Sequence, residues 1–160
     1  MLLAALLAAL AATATANASS TACSIAAAKT AIKQTKVKMV LLGGAPVQVD
    51  PKSVDGVLCY DFTRDGRTDM AVSIASGGTA GDIGIVVFRA SSKGWQVALK
   101  NPGYKVGVFQ VGGDVVTSQP IYLKNDPNCC PTGGFNHDRY HWTGSKFLLV
   151  KSYKTKTYKP

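Results

Sequence analysis

The acidic side chains this sequence offers for acid–base or metal chemistry number nine, all of them aspartate, with no glutamate anywhere. Three of the nine fall in the stretch Asp61-Phe62-Thr63-Arg64-Asp65-Gly66-Arg67-Thr68-Asp69. Oxygen-bearing side chains stand at its positions 1, 3, 5 and 9, with glycine at 6. Calcium takes six to eight hard oxygen ligands, and alternate residues of a tight loop point inward to supply them. On that reading Asp61, Thr63, Asp65, the Arg67 carbonyl and Asp69 are the metal ligands, and Gly66 permits the turn. The stretch departs from an EF-hand in two ways. Thr63 replaces a charged or amide ligand, and no bidentate glutamate follows. The competing reading is a β-turn in which Asp61 and Asp65 accept hydrogen bonds from backbone amides.

His137, Asp138 and His141 form the other cluster with chemical potential. On a strand the two histidines share a face about 13 Å apart, too far to ligate one ion. A helix would bring them together, but residues 136–142 carry little helix signal. Two histidines on a solvated strand face are therefore expected. No serine sits in a Gly-x-Ser-x-Gly frame. Ser76-Gly77-Gly78 has the glycines of a phosphate cradle but lacks its Lys-Ser/Thr ending, so it reads as a hairpin loop. Glycosidase chemistry needs two opposed carboxylates, and nothing singles out a pair. Trp95, Tyr104, Tyr122, Phe135, Tyr140 and Trp142 could line a groove, but on alternating strands they fit core and cross-strand packing better. No catalytic residue is assigned.

The elements that must position these residues belong to one domain, because 160 residues are too few for two cores of ordinary size. Residues 2–12 form an unbroken apolar run, and Ala16-Asn17-Ala18 fits the small-x-small cleavage rule. Residues 1–18 thus read as a signal peptide and 19–160 as a single β-rich domain. No Lys or Arg precedes the apolar run, which leaves room for a start further upstream. Acylation of Cys23 is the lesser reading, since Ser20 stands where Leu is wanted, and plain secretion is expected. An exported domain oxidises its cysteines. Cys23, Cys59, Cys129 and Cys130 allow three pairings. A Cys23–Cys59 bridge would leave the adjacent pair to close an eight-membered ring, whereas crossed pairings avoid that ring.

Within the domain, residues 23–36 read as a helix. Ile25, Ala28 and Ile32 recur on one face, and Lys29, Lys33 and Lys36 on another. Ser20, Thr21 and Ser24 are candidate caps. Gly43-Gly44-Ala45-Pro46 breaks the chain, and 47–55 reads as irregular. Strands are expected at 57–62, 68–75, 83–89, 95–100, 104–111, 115–123, 138–142 and 146–153, with turn residues about every ten positions. Pro120 should mark an edge or a bulge. The tail from Lys151 should end as an edge strand or fray. Short links favour antiparallel neighbours. The expected fold is α+β, mainly β: an N-terminal helix packed on an antiparallel meander of seven to eight strands.

Lys and Arg total 18, giving a net charge of +9 at pH 7, and residues 1–18 carry none of it. That surplus attracts anionic wall polymers or acidic lipid surfaces, while export makes nucleic acid an unsuitable partner. An apolar share of 46% is too high for disorder.

Two motifs resemble known families. Residues 61–69, followed by Met70-Ala71-Val72, resemble the Asp-rich loop of FG-GAP and VCBS-type repeats, in which carboxylates often hold calcium. The loop occurs once, so a many-bladed propeller is not implied. Tyr122, the run Cys129-Cys130-Pro131-Thr132-Gly133-Gly134 and the run Arg139-Tyr140-His141-Trp142-Thr143-Gly144 are similar to the LppP/LprE-type lipoproteins of bacterial envelopes. That resemblance covers residues 57–150 and implies an envelope location without an enzymatic activity. Members with the adjacent cysteines do not always have others, which implies a Cys129–Cys130 bridge and leaves Cys23 for Cys59. The expected function is an exported, non-enzymatic binding domain for an unknown ligand, monomeric and calcium-stabilised at the Asp-rich loop. The alternative is a secreted hydrolase with a cleft lined by Asp and aromatic residues.

Overall fold

A computed structural model describes residues 23–41 and 43–160. The signal-peptide reading and the candidate caps Ser20 and Thr21 lie outside the described residues. The helix α1 spans Ile25–Thr35. Ser24 caps it, its Oγ accepting from the Ala27 N–H at 3.1 Å, and Lys36 ends it in the left-handed region at φ 49°. Its buried residues are Ala28, Ala31 and Ile32, whereas Ile25 is largely exposed. The stripe is thus narrower than the spacing implied, and its alanines allow close approach to a sheet.

Two short strands follow, β1 (Lys38–Val40) and β2 (Pro46–Gln48), paired antiparallel around Gly43-Gly44. This ribbon was not legible as strands, because each member is three residues long and its apolar side chains are mostly exposed. A short 3-10 turn, Pro51–Ser53, leads into the main sheets.

The first sheet runs β3 (Val54–Tyr60), β4 (Asp69–Ala75), β5 (Asp82–Ser91), β6 (Gly94–Pro102) in that order. The second contains β7 (Gly107–Val111), β8 (Asp114–Pro120), β9 (Phe135–Trp142) and β10 (Phe147–Thr155), with β10 at one edge and β7 at the other. All pairings are antiparallel. The expected α+β architecture, mainly β with an N-terminal helix, is the one observed. The single meander is divided, however: the link between β6 and β7 carries the chain to a second sheet instead of extending the first.

Two cores explain the division. Alternate residues of a strand face opposite ways. Met70, Val72 and Ile74 of β4 and Val86, Phe88 and Ala90 of β5 pack with Ala28, Ala31 and Ile32 of α1. Ala71, Ile85 and Val87 face the other way and pack with Phe62, Val106, Val115, Trp142 and Phe147 between the sheets. The middle strands β4 and β5 are therefore buried on both faces, which is why they read as continuous apolar runs. Cys23 is bonded to Cys59, tying the start of α1 to β3 across a sequence separation of 36. Closing a loop of that size contributes roughly 3–4 kcal/mol in the chain-entropy account.

Pro120 departs from expectation. It ends β8, an interior strand, opposite Phe135 of β9. A strand end tolerates the missing N–H as well as an edge does. Beyond β10 the last residues fold back over the outer face of the second sheet. Ser118 Oγ donates to the Tyr158 carbonyl at 2.8 Å, and the Tyr158 ring packs edge-on against Phe109 and Phe135, each at 5.4 Å.

Candidate functional site

The link between β8 and β9, residues 121–134, is built around one carboxylate. Asp126 accepts from the Leu123 N–H (2.8 Å), the Thr132 N–H (2.7 Å) and the Thr132 hydroxyl (2.7 Å). These donors, Thr132 first, hold its carboxyl below the usual value. Gly133 donates to the Ile121 carbonyl at 3.0 Å. A Cβ at Gly133 would come within 2.5 Å of that oxygen, so the close approach requires glycine. At the loop's tip Cys129 is bonded to Cys130.

Facing this loop is the short link before β7, with Tyr104 and Lys105. Asn128 joins the two: its carbonyl accepts from Tyr122 Oη at 2.7 Å and from Lys105 Nζ, while its side-chain oxygen accepts from Tyr104 Oη. The Lys105 ammonium stands 5.6 Å from the centres of both the Tyr104 and Tyr122 rings, an attractive cation–π position. A cleft of about 220 Å³ opens here, lined by Lys105, Pro120, Tyr122, Cys129, Pro131, Phe135 and Tyr158. Drug-sized ligands occupy roughly 300–1,000 Å³, so this space suits a single ring. Its walls are rings and a disulfide, and among the described residues that line it Lys105 is the one cation. Among the described residues the ion pairs all converge on Asp114, so no carboxylate neutralises Lys105.

Asp114 is a second polar centre, at the start of β8. Its side chain is 5% exposed, and it accepts from Arg139 Nε at 2.6 Å and His141 Nδ1 at 2.8 Å. Burial works to raise its pKa, but these two partners prevail and hold it below the usual carboxylate value. Arg64 reaches it from the Asp-rich loop at 3.6 Å, with most of its side chain in solvent. The tight turn Gly112-Gly113, both residues at positive φ, lets the two arginines lie close over it.

In the Asp-rich loop, Asp61 accepts from the Asp65 N–H (3.1 Å) and the Gly66 N–H (2.9 Å), and Asp65 accepts from the Arg67 N–H (3.0 Å). Asp69 is fully buried at the start of β4. It accepts from the Thr63 N–H (2.8 Å), the Thr63 hydroxyl (2.9 Å) and, through its other oxygen, the Ala90 N–H (2.9 Å). Burial pushes its pKa up despite those bonds. Asp61 and Asp65 therefore share one turn, while Thr63 and Asp69 bind each other and β5. Among the described residues no three His, Cys or Asp side chains converge as a metal-binding group.

The histidines share a face as expected, but that face is not uniformly solvated. His137 is fully buried, stacked on Tyr153 at 5.0 Å, and its Nε2 lies 2.7 Å from Thr155 Oγ1. The Thr155 hydroxyl donates to the Thr157 carbonyl at 2.6 Å, so Nε2 carries the proton donated to Thr155. Nδ1 is left with no partner. The solvated-face expectation fails for His137 because the chain's return past Thr155 covers it, a contact invisible in local spacing. His141 is half-exposed and bound to Asp114.

The six aromatic residues divide. Trp95 joins the helix-side core, Tyr140 and Trp142 the inter-sheet core, while Tyr122 and Phe135 line the cleft and Tyr104 sits beside Lys105. Sequence reasoning missed Lys105 and Tyr158 as lining residues. The adjacent cysteines and the flanking glycines were the available signal for the loop. Comparison with protein-family models, curated proteins and solved structures finds no match for this chain.

Proposed function

We propose that the chain is an exported, non-enzymatic binding domain whose ligand site is the cleft beside the Cys129–Cys130 loop. The observation that carries this reading is Lys105, an ammonium without a carboxylate partner among the described residues, at the mouth of a space walled by Tyr122, Phe135, Tyr158, Pro120 and Pro131. Flat apolar walls with one unpaired cation fit a small ring that bears an acid group. The ring of such a ligand stacks on the aromatic faces, and its carboxylate meets the free N–H groups of Lys105. The disulfides and the signal-like leader support export. The resemblance to LppP/LprE-type lipoproteins supports a place in the bacterial envelope.

The hydrolase alternative needs two facing carboxylates free to act. Asp61, Asp65, Asp69, Asp114, Asp126 and Asp138 each accept hydrogen bonds from within the fold. Asp55 and Asp82 are close enough for their charges to interact, but neither lines the cleft, which favours the binding reading there. The turn of the Asp-rich loop is held by backbone N–H groups that donate to Asp61 and Asp65, so calcium there would add only a weak stabilisation, separate from the cleft.

Calorimetric titration with benzoate and galacturonate tests the site, with galactose as the uncharged comparison. Saturable heat is expected with at least one of the two acids and not with galactose; the acid that binds tells an aromatic ring from a sugar ring. Lys105→Gln should weaken that binding about tenfold, the loss of one charge-assisted hydrogen bond of about 1.5 kcal/mol. Equal heats with Lys105→Gln and the parent protein, or none with either acid, would remove the cleft as an anion site.

A further inference from the structure

β10 is an edge strand with an unusual exposure pattern. Leu148, Leu149 and Val150 are 43%, 54% and 55% exposed, three consecutive aliphatic residues at the open edge of the second sheet, Leu148 and Leu149 on its opposite faces. Edge strands are ordinarily protected by charge and irregularity, and this one has both around the aliphatic run. The pairing with β9 slips between Leu149 and Lys151, so Val150 has no partner residue. Lys146, Lys151 and Lys154 flank the run, and Lys156 and Lys159 follow; residues 146–160 hold five lysines and no acid. The one aspartate facing β10 from its neighbour is Asp138, which accepts from Ser152 at 2.6 Å.

Three occupants could cover such a strip. A second copy pairing edge to edge would meet the bulge at Val150 and would bring two lysine-rich strands together, and like charges across a ladder repel. A soluble anionic polymer would engage the lysines and leave the aliphatic side chains in water. A bilayer of anionic lipid engages both: headgroups meet the ammonium groups while the strand, lying edge-on, brings Leu148 from one face and Leu149 from the other, with Val150 at the bulge that follows, to the acyl boundary. We propose that the β10 edge is a docking site for an anionic membrane surface, held peripherally. This goes beyond the cleft and uses none of its residues.

Flotation of the oxidised, full-chain protein with vesicles tests the proposal. It should float with vesicles of mixed phosphatidylglycerol and phosphatidylcholine, and not with phosphatidylcholine alone. Each change among Lys146→Gln, Lys151→Gln and Lys154→Gln should weaken binding about fivefold, and added salt should release the protein. Leu149→Ser with Val150→Ser should abolish flotation, whereas Val47→Ser, an exposed aliphatic site on the β1–β2 ribbon, should leave it unchanged. Should the double variant fail to fold, Leu149→Trp gives an independent readout, its emission shifting to the blue only with the anionic vesicles. Flotation that survives the double variant, binding to soluble polygalacturonate that matches binding to vesicles, or a concentration-dependent dimer with no vesicle binding would each overturn the assignment.

Discussion

Lys105 Nζ stands 5.6 Å from the centre of the Tyr122 ring, and both residues bond to the Asn128 carbonyl. That one carbonyl joins the link before β7 to the loop after β8, and with it the two walls of the cleft. The arrangement depends on the loop staying folded on Asp126, three residues before the cysteine pair.

Asp126→Ala should therefore loosen residues 121–134 without unfolding the sheets. Amide exchange at Leu123 and Thr132 should rise at least tenfold while β4 and β5 stay protected. The carboxyl of Asp126 is held below its ordinary 3.8, so its contribution is complete above that value and disappears as pH falls through the lower, folded value. Uniform exchange across loop and core would contradict this role.

His137 should give the fold a second pH dependence. Burial lowers its pKa from 6.5, against the smaller raising effects of the Thr157 backbone and Asp138. Between the folded value and 6.5 the unfolded chain binds the extra proton and the native state does not. Stability therefore falls as pH drops through that window and is complete above it. Urea midpoints measured from neutral to mildly acid pH should decline in the parent protein and lose that part of the decline in His137→Phe. Parallel curves would show that His137 does not titrate between the two states.

Gly107 makes room for the returning tail. A Cβ there would come within 2.6 Å of Tyr158 Cζ and closer still to its hydroxyl. Gly107→Ala should lower stability by about 1–3 kcal/mol, the usual cost of overpacking, and expose the last residues to carboxypeptidase. In a Tyr158→Ala background the same change should cost little. A full loss in both backgrounds would place the strain in the β7 backbone instead of at Tyr158.

For the Asp-rich loop, the bonds of Asp69 matter most. Asn at that position would set an amide N–H₂ against a buried backbone donor, so Asp69→Asn should destabilise the domain by about 2–3 kcal/mol. Asp61 and Asp65 already accept from backbone N–H groups, and millimolar calcium should move the melting temperature by less than about 2 °C, at most about 1 kcal/mol for a domain of this size. A larger shift that vanishes in Asp65→Ala would establish an ion in the loop.

Legibility followed the range of the interactions. β4 and β5 stood out because both of their faces are buried, and Ser24 could be named as a cap because the bond it makes spans three residues. The Asp-rich loop was visible for the same reason, since Asp61 and Asp65 bond within five positions. The break between the sheets was not visible, because β6 and β7 are separated by a link no longer than the hairpin link between β9 and β10. Nor was the burial of His137, which depends on residues 18 and 20 positions away. The cleft joins Lys105, Tyr122 and Tyr158 across more than fifty residues of chain, and no local period encodes such a meeting.

The most direct test of the cleft as a ligand site is a nitrogen–proton correlation spectrum of the oxidised domain, titrated with whichever acid, benzoate or galacturonate, gives heat. Saturable shifts should gather at Lys105, Tyr122, Cys129, Phe135 and Tyr158, and should be absent with galactose. Shifts scattered over the lysines of β10 and α1, with the cleft signals unmoved, would contradict the account.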